Sequence, residues 1–439
     1  MASSDWKNEY SSRLVTPDEA VARIEPGWRL ILPTLAGTPG ALVAALGRAL
    51  REGTIADFTA GMILPAGNIA DHLFDPAIAD RFHWDTLFCG AGDRPGVNDG
   101  TYDMTPMHFS QMPRIMEHWM GVQATMTLAS PPDDEGYMSL GISVDYTKTL
   151  LRIADYRVVE VNPNVPRVFG DCRVHVSEVE AIVESDEPLV ELPNPPVNAE
   201  DEIIGRLIAE RIPDGATIQL GYGAVPSAVA TCLTDHKHLG IHTEMFVDNM
   251  RMLMECGAVD NSQKTLHPGK SIYTFCAGTA ETYKFLHENP EIEAYPVEYS
   301  NDPYLIGRND KMVTINATVA VDLTGQACSE SIGARQYSGS GGQTDFVRGA
   351  FFSEGGQSFL GTYATAKGGE LSSIVSTLPE GSVVTTQRTD IDMVVTEYGV
   401  AELKGRSLRD RAQALIAIAH PKFRDSLQEA AQARGLGLR

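Results

Sequence analysis

The sequence is short of positive charge, aromatic residues and cysteines. Lys and Arg number 35 against 58 Asp and Glu, which gives a formal net charge of −23. Nucleic acids and anionic membrane surfaces are bound through basic faces, so neither is an expected partner. The cysteines show no C-x-x-C pair and no disulfide-like spacing, a pattern typical of free thiols in a reducing cytoplasm. They are Cys89, Cys172, Cys232, Cys256, Cys276 and Cys328.

Long apolar runs and metal-ligand motifs are missing too. No stretch reaches the apolar length of a membrane span, and the first residues, Met-Ala-Ser-Ser-Asp-Trp-Lys, lack the features of a secretory signal. His242-Thr243-Glu244 has the H-x-E of zinc deaminases, but no Pro-Cys-x-x-Cys follows it. We therefore expect a cytoplasmic protein without a metal ion or a permanently bound cofactor.

The length of 439 residues predicts two domains. Helical patterns alternate with short β-branched runs such as 158–161, 383–386 and 393–396, which predicts an α/β fold with mainly parallel sheets. Thr16-Pro17-Asp18-Glu19 carries the signature of a helix start. The last helices are predicted from about 407 to 433, with an interruption at Pro421.

One strand–loop–helix pattern occurs twice, in residues 24–46 and 212–233. The turn glycines Gly27 and Gly215 are each followed by a helix-opening proline, Pro39 and Pro226. Two further similarities, of 86–92 to 273–279 and of 122–141 to 313–328, follow in the same order. Three similarities in register indicate a duplicated domain. The proline-rich segment 187–199 is a predicted linker between domains 1–186 and 200–439, two similar open α/β domains.

Glu244 lies within an apolar run, 239–247, that predicts the end of a buried strand. Burying a carboxylate is costly unless it is paired, hydrogen-bonded or used in chemistry. Two interpretations follow: a glutamate in a structural ion pair, or a nucleophile or base held in a dry cleft.

Two glycine stretches could serve such a carboxylate. Gly221-Tyr222-Gly223 follows a predicted strand and opens a helix, either as a tight turn or as a set of amides for an oxyanion or phosphate. It is not the dinucleotide motif, because proline stands at the third glycine position. The stretch 337–350 contains Gly341 and Gly342, which allow close approach of backbone to a ligand. A surface loop would tolerate the same composition, and neither a Walker loop nor a Gly-x-Ser-x-Gly motif is present.

Five segments together resemble the acetyl-CoA hydrolase/transferase family, and within it the 4-hydroxybutyrate and butyrate–acetate CoA-transferases. The resemblance covers nearly the whole chain. The segments are His242-Thr-Glu-Met-Phe-Val-Asp, Asp322-Leu-Thr-Gly-Gln, Ser338-Gly-Ser-Gly-Gly-Gln-Thr-Asp-Phe-Val-Arg-Gly-Ala, Val394-Val-Thr-Glu-Tyr-Gly-Val-Ala-Glu-Leu-Lys-Gly and Ala419-His-Pro-Lys-Phe-Arg.

The resemblance implies two similar α/β domains with the active site between them, and Glu244 as the nucleophile. It also implies which residues surround the bound acyl-CoA and the glutamate. Gly341, Gly342 and Gln343 would lie at the acyl-CoA, Gly221, Tyr222 and Gly223 would line the same site, and Asn316 matches a family asparagine near the glutamate. The methionine-rich stretch 104–120 departs most from the family, and we expect Met107, His108 and Ser110 to form the acyl pocket there. Lys367 and Arg348 are the expected partners of the CoA phosphates.

The function so predicted is transfer of CoA between an acyl-CoA (acetyl-CoA, butyryl-CoA or a succinyl-CoA-like thioester) and a free carboxylic acid. Its ping-pong course would pass through a glutamyl anhydride and a glutamyl-CoA thioester, with the CoA thioester as substrate. Two alternatives remain: an acyl-CoA hydrolase with the same glutamate, and a non-catalytic sensor of a sugar phosphate or CoA ester. A homodimer or homotetramer is ordinary for the family.

Overall fold

The computed structural model describes residues 5–65 and 67–437. The chain forms two compact units, one of Met1–Pro193 with Ile272–Ser300 and the other of Asn194–Ser271 with Asn301–Arg439. Residues 185–198 carry no helix or strand, and the chain first leaves the first unit inside the predicted linker. The segment 272–300 groups with the first unit although it follows that linker. The prediction that the chain lacks a secretory signal was based partly on its first four residues. These four residues lie outside the described part of the chain.

Sixteen α-helices are found in the described residues. They are α1 (Asp5–Arg13), α2 (Pro17–Val21), α3 (Gly40–Glu52), α4 (Gly67–Leu73), α5 (Arg94–Asp99), α6 (Met112–Ile115), α7 (Thr147–Ile153), α8 (Ala199–Ala209), α9 (Ala224–Cys232), α10 (Asp248–Glu255), α11 (Ala280–Leu286), α12 (Val297–Ser300), α13 (Pro303–Ile306), α14 (Gln343–Phe352), α15 (Leu408–Ile418) and α16 (Pro421–Ala433).

The described residues also form short strands. They are β1 (Arg29–Ile31), β2 (Thr59–Gly61), β3 (His83–Thr86), β4 (Asp103–Met104), β5 (Ala124–Ala129), β6 (Tyr137–Ser139), β7 (Tyr156–Val161), β8 (Phe169–Gly170), β9 (Arg173–His175), β10 (Ala181–Glu184), β11 (Thr217–Leu220), β12 (Gly240–Ile241), β13 (Met245–Phe246), β14 (Ser271–Tyr273), β15 (Phe275–Cys276), β16 (Ile292–Ala294), β17 (Met312–Ala317), β18 (Ala320–Asp322), β19 (Ala327–Cys328), β20 (Ser331–Ile332), β21 (Arg335–Gln336), β22 (Gln357–Gly361), β23 (Thr365–Ala366), β24 (Leu371–Ser372), β25 (Ile374–Val375), β26 (Met393–Thr396) and β27 (Gly399–Glu402).

The first unit is built on a parallel sheet of order β10-β7-β5-β1-β2-β3-β4. The amphipathic helix α3 packs its buried face, which includes Leu42 and Leu46, onto Leu30 of β1 and Met126 of β5. Parallel strands require covered faces, and this helix layer provides the cover.

The second unit is built on the sheet β12-β11-β17-β22-β26-β27, in which only the last pair, β26 with β27, is antiparallel. Leu360 of β22 and Val394 of β26 share a core with Leu415 of α15 and Leu427 of α16. The carboxyl ends of the parallel strands meet at one edge, where open α/β sheets bind their ligands.

The two sheets share one strand order. Five strands of the first sheet, β2-β1-β5-β7-β10, and five of the second, β12-β11-β17-β22-β26, follow the same sequence of neighbours. The order matches the repeated pattern, because β1 and β11 carry the two similar strand–loop–helix segments. This agreement supports the interpretation of the chain as a duplicated α/β unit.

Most local predictions are confirmed. Thr16 caps α2 in a capping box with Glu19, the run at 393–396 is β26, and Pro421 separates α15 from α16. The predicted strand at 383–386 is wrong. Val383 and Val384 are 39% and 38% exposed and pair with no neighbouring strand. Thr386, at the end of the run, forms only an isolated bridge with Ala327, so no ladder develops.

Candidate active site

Glu244 lies in a bend between β12 and β13, at the carboxyl edge of the second sheet. The prediction that it lies inside a strand is wrong, because β12 ends at Ile241, where its pairing with β11 stops. The flanking residues Thr243 and Met245 are buried, whereas Glu244 is half-buried. The carboxylate therefore emerges from the core instead of being enclosed by it.

An amide and a glycine hold this carboxylate. Nδ2 of the fully buried Asn301 donates a hydrogen bond to Oε2 of Glu244 over 2.7 Å. A Cβ atom built on Gly342 would lie 1.8 Å from the same oxygen and 2.4 Å from Nδ2 of Asn301. A side chain at position 342 would displace the carboxylate, so the glycine backbone lies against it.

The glycine stretch leads directly into α14. Gly341 has φ of +53°, a left-handed conformation that glycine adopts without strain, and Gly342 is the N-cap residue of the helix. The first N–H groups of a helix have no partner within the helix, and its dipole favours negative charge there. Glu244 thus places its carboxylate at the positive end of a ten-residue helix.

Glu330 holds the glycine stretch in place. Its carbonyl oxygen accepts hydrogen bonds from the amides of Tyr337, at 2.8 Å, and Ser338, at 3.1 Å. Its carboxylate, in a side chain only 3% exposed, accepts a hydrogen bond from Oγ of Ser340 over 3.2 Å. The glycine stretch is therefore a loop held by hydrogen bonds to one buried residue, unlike a surface linker without fixed contacts.

The polar side chains beyond the glycines differ in availability. Nε2 of Gln343 donates to Oγ of Ser329 at 2.9 Å and to Oγ1 of Thr386 at 3.0 Å. Both amide protons are thereby used, and Oε1 remains as the group that could meet a ligand. Nε of Arg348 is bound to Oδ2 of Asp390 at 3.0 Å. Lys367 is exposed in the turn between β23 and β24.

The Gly221–Gly223 turn lies at the same edge as Glu244. Ile218 pairs with Ile241, so Gly221 and Glu244 both stand three residues past paired positions. The amide of Gly221 donates to the carbonyl of Ile315 at 2.9 Å, and Gly223, with φ of +137°, opens α9. Tyr222 between them is 42% exposed, and partial burial raises the pKa of its hydroxyl.

Asn316 stands at the end of β17, next to this turn. Its side-chain amide exchanges two hydrogen bonds of 3.2 Å with Gln219. The asparagine bonded to Glu244 is instead Asn301, which no sequence motif indicates. Asn301 is separated from Glu244 by 57 positions and precedes Asp302-Pro303, so its local sequence indicates only a helix start.

The predicted acyl-pocket residues lie in the first unit. Met107, His108 and Ser110 follow β4 at the carboxyl edge of the first sheet, with Met107 buried and the other two half-buried. His242 is fully buried, with Nδ1 3.3 Å from Nδ2 of Asn309 and its ring edge-to-face with Phe346. This burial favours a structural role for His242.

No grouping of three or more His, Cys, Asp or Glu side chains suited to a metal ion occurs within residues 5–65 and 67–437. Over the same residues, every helix is too short or too polar to cross a membrane. All six cysteines lie in the described residues, and none forms a disulfide bond. The fold and the site together define a class: an α/β protein whose candidate centre is a carboxylate held on glycine backbone at the edge of a parallel sheet.

Comparison with known proteins gives the family. The chain matches the acetyl-CoA hydrolase/transferase N-terminal domain over residues 1–192 and the C-terminal domain of the same family over residues 278–431. The chain belongs to the acetyl-CoA hydrolase/transferase family, as the sequence motifs predicted.

Similar proteins narrow the activity. The chain is 43% identical over 431 residues to the succinyl-CoA:cyclohexane-1-carboxylate CoA transferase of Geobacter metallireducens, covering 98% of both chains. It is 44% identical over 424 residues to the 4-hydroxybutyrate coenzyme A transferase of Clostridium kluyveri, covering 96% of this chain and 98% of that one. The crystal structure of RipA from Yersinia pestis matches with a TM-score of 0.94 at 39% identity, over 98% of this chain and 100% of that one. The chain is a CoA-transferase with the α/β architecture predicted for it.

Proposed function

We propose that this enzyme moves CoA from an acyl-CoA thioester to a free carboxylic acid, with Glu244 as the covalent carrier. The contact of Oε2 of Glu244 with Gly342, reinforced by the 2.7 Å hydrogen bond from Asn301, carries the proposal. The carboxylate faces the side-chain amide of Asn301 and the N-terminus of α14, and Glu244 is half-buried.

The reaction exchanges bonds without a proton donor or a redox partner. A Glu244 oxygen attacks the thioester carbonyl carbon, a C–O bond forms, the C–S bond breaks, and CoA leaves as the thiolate. The thiolate then attacks the Glu244 carbonyl carbon of the anhydride, which releases the first acid as its carboxylate and forms a glutamyl-CoA thioester. The second carboxylate enters by the same two steps in reverse, which conserves the thioester bond energy.

Asn301 stabilises negative charge on a Glu244 oxygen, and backbone amides stabilise it on the substrate oxygen. Asn301 holds Oε2, and Oε1 is the oxygen that attacks the thioester in this proposal. When the Glu244 carbonyl is itself attacked, Asn301 already donates to the oxygen that becomes negative. The amides near Gly341, Gly342 and the Gly221–Gly223 turn serve the substrate oxygen, and one such donor typically contributes about 10²–10³ in rate.

The substrates that we propose for this enzyme are of the same kind as those in the names of its relatives. Those relatives are named for 4-hydroxybutyrate and for succinyl-CoA with cyclohexane-1-carboxylate. We propose acetyl-CoA, butyryl-CoA or succinyl-CoA-like donors and a small carboxylic acid as acceptor. Met107, His108 and Ser110 would line the acyl pocket. On the family resemblance, Gln343 and Asn316 would contribute to the CoA site, and Arg348, close to the glycine stretch in sequence, would be one of its cations. A homo-oligomer in the cytoplasm, built from two α/β domains joined by the 187–199 linker, belongs to the same proposal.

The test is a search for the covalent intermediate. Incubation with butyryl-CoA and no acceptor acid should add CoA to the peptide containing Glu244, as read by intact mass and peptide mapping. Glu244→Gln should carry no adduct and lose transfer activity. Glu255→Gln, at an exposed glutamate paired with Arg251, should keep both. Normal turnover by Glu244→Gln would overturn the proposal.

Hydrolysis is the second candidate, since the family description names hydrolases beside transferases. The two activities share the acyl-glutamate and differ in what attacks it. Release of free thiol without any added acid would identify hydrolysis, whereas formation of a new CoA ester that requires the acid identifies transfer. A sensor would bind acyl-CoA equally well with and without Glu244 and would turn nothing over.

A further inference from the structure

Three cations of the second unit lie on two segments that a hydrogen bond joins. Lys367 lies in the turn between β23 and β24, and Lys422 and Arg424 lie in the first turn of α16. Within the described residues, none of the three forms an ion pair, unlike Arg348, which is bound to Asp390. We call these three residues the cation patch. In a chain with a net charge of −23, three cations without an ion pair on two joined segments need an explanation.

The patch is held by specific contacts. Nζ of Lys422 donates a hydrogen bond to the carbonyl of Gly369, which joins the Lys367 turn to the start of α16. Lys367, Gly368 and Gly369 have φ of +49°, +65° and +89°, so this turn is a tight left-handed one. The Nε atom of Arg424 donates to the carbonyl of Ala419 at 2.9 Å, which leaves the terminal nitrogens of the guanidinium for another partner.

The cation patch lies at the carboxyl edge of the sheet that carries Glu244. The chain enters the β23–β24 turn soon after the end of β22, and the amide of Ala364 donates to Oε2 of Glu397 at 2.8 Å. Glu397 and Tyr398 form the turn after β26, and the guanidinium of Arg424 lies 5.7 Å from the centre of the Tyr398 ring. The patch is thus fixed to the ends of β22 and β26.

The distance to Glu244 suits one half of a CoA thioester. In the sheet order, β26 is four strands from β12, after which Glu244 lies. At about 4.8 Å between neighbouring strands, this separation is roughly 19 Å along the edge. An extended pantetheine arm spans a comparable distance from its sulfur to the pyrophosphate. A thioester reacting at Glu244 could therefore place its nucleotide at the patch.

We infer that the cation patch binds the phosphate groups of the nucleotide half of CoA, an inference that rests on the proposed function. Lys422 and Arg424 stand at the N-terminus of the 13-residue helix α16, whose dipole also favours phosphate. Arginine and lysine together suit a diphosphate and a separate phosphomonoester. The patch thereby offsets the repulsion between an acidic protein and an anionic substrate.

Kinetics with truncated substrates test this inference. Lys422→Met, Arg424→Gln and Lys367→Gln should each raise KM for butyryl-CoA about tenfold, the ratio that corresponds to about 1.4 kcal/mol, with kcat unchanged. A higher KM at constant kcat marks the loss of uniform binding. KM for the butyryl thioester of pantetheine, which lacks the phosphates, should stay the same. Butyryl-dephospho-CoA, which lacks the 3′-phosphate, identifies the cation that binds this group. The variant of that cation should raise KM less with butyryl-dephospho-CoA than with butyryl-CoA.

Lys237→Met is the matched control. Lys237 is exposed and precedes β12, so it lies at the opposite edge of the same sheet, and this variant should keep the wild-type KM. An unchanged KM for butyryl-CoA in all three patch variants would overturn the inference. So would an equal rise with the pantetheine thioester, which would indicate a structural effect.

The inference and the proposed function fail separately. At saturating butyryl-CoA, the patch variants should still form the adduct on Glu244. If the patch variants form the adduct and their KM is unchanged, the cation patch has no role in binding CoA, while Glu244 remains the proposed carrier. Absence of an adduct in the wild-type enzyme would overturn the proposed function itself. Lys367 lies in an exposed turn, so its variant keeps the test valid if a change in α16 impairs folding.

Discussion

Replacing Gly342 by alanine should abolish most of the activity while leaving the fold intact. The added Cβ atom would lie 1.8 Å from Oε2 of Glu244 and 2.4 Å from Nδ2 of Asn301. Neither distance is tolerable between non-bonded atoms, so the carboxylate has to move. Glu244 is half-buried and can turn towards solvent, whereas Asn301 is fully buried and cannot easily follow. The hydrogen bond between them is then lost.

The size of the effect follows from the displacement. Relief of the clash requires the carboxylate oxygen to shift by about 1 Å, and a misplacement of that size can cost about 10²-fold in rate. We therefore expect kcat to fall by about 10²-fold, equivalent to about 2.7 kcal/mol. Overpacking of this kind costs about 1–3 kcal/mol of stability, which a domain of this size survives.

Steady-state CoA transfer and the intact-mass adduct measure the outcome, with thermal unfolding as the test of folding. The control is Gly67→Ala, in α4, where an added Cβ meets nothing within 4 Å. That variant should keep wild-type rates. If Gly342→Ala is folded, turns over within a few-fold of wild type and forms the adduct, the contact between Glu244 and the glycine backbone has no part in catalysis.

Two further predictions concern buried groups. Asn301→Ala removes a hydrogen bond to a charged group, worth about 1.5–3 kcal/mol, and should lower kcat about 10- to 150-fold; Asn309→Ala, at an equally buried asparagine, should lower the unfolding free energy without a comparable loss of kcat. Burial raises the pKa of Glu160, although the amides of Leu42 and Ala41 oppose the shift. Because the higher pKa belongs to the folded state, stability falls as pH rises through that pKa. In denaturant titrations from about pH 4, near the ordinary pKa of glutamate, to about pH 8, the unfolding free energy of the wild type should decrease relative to that of Glu160→Gln.

The features predicted best from the sequence are helix ends, which depend on residues close together in the chain. The capping box at Thr16 and the break before Pro421 depend on neighbours within four residues, and both are confirmed. The strand at 383–386 failed because β-branched composition does not reveal whether a partner strand exists. Val383 instead donates its amide to Oγ of Ser331, in a segment distant along the chain.

The site was predictable in its main residues and not in their partners. Long motifs identified Glu244 and the glycine stretch, but only the folded chain shows that the carboxylate rests on Gly342. The choice of cations illustrates the limit. Arg348 and Lys367 read alike as phosphate ligands, yet Asp390 binds Arg348 while Lys367 makes no ion pair within the described residues. A pairing of residues far apart in sequence leaves no trace in one chain.

The duplicated sheets differ at one informative position. In the first unit, Glu160 of β7 accepts hydrogen bonds from the amides of Ala41, at 3.3 Å, and Leu42, at 3.0 Å, at the start of α3. The repeat aligns β1 with β11, and the parallel pairings then carry the alignment from β5 and β7 to β17 and β22. On this alignment, the residue of β22 that corresponds to Glu160 is Gly361.

Gly361 leaves the start of α9 free of the carboxylate that covers the start of α3. A Cβ at this position would lie 2.9 Å from Cγ1 of Val225, so a side chain there would press on the first turn of the helix. In the part of the chain that the structure describes, the amides of Ala224 and Val225 have no hydrogen-bond acceptor. The first unit thus satisfies its helix N-terminus with its own glutamate, whereas the second, at the edge that carries Glu244, has a glycine in that position. This difference between two copies of one design supports the assignment of the Gly221–Gly223 turn to the acyl-transfer site.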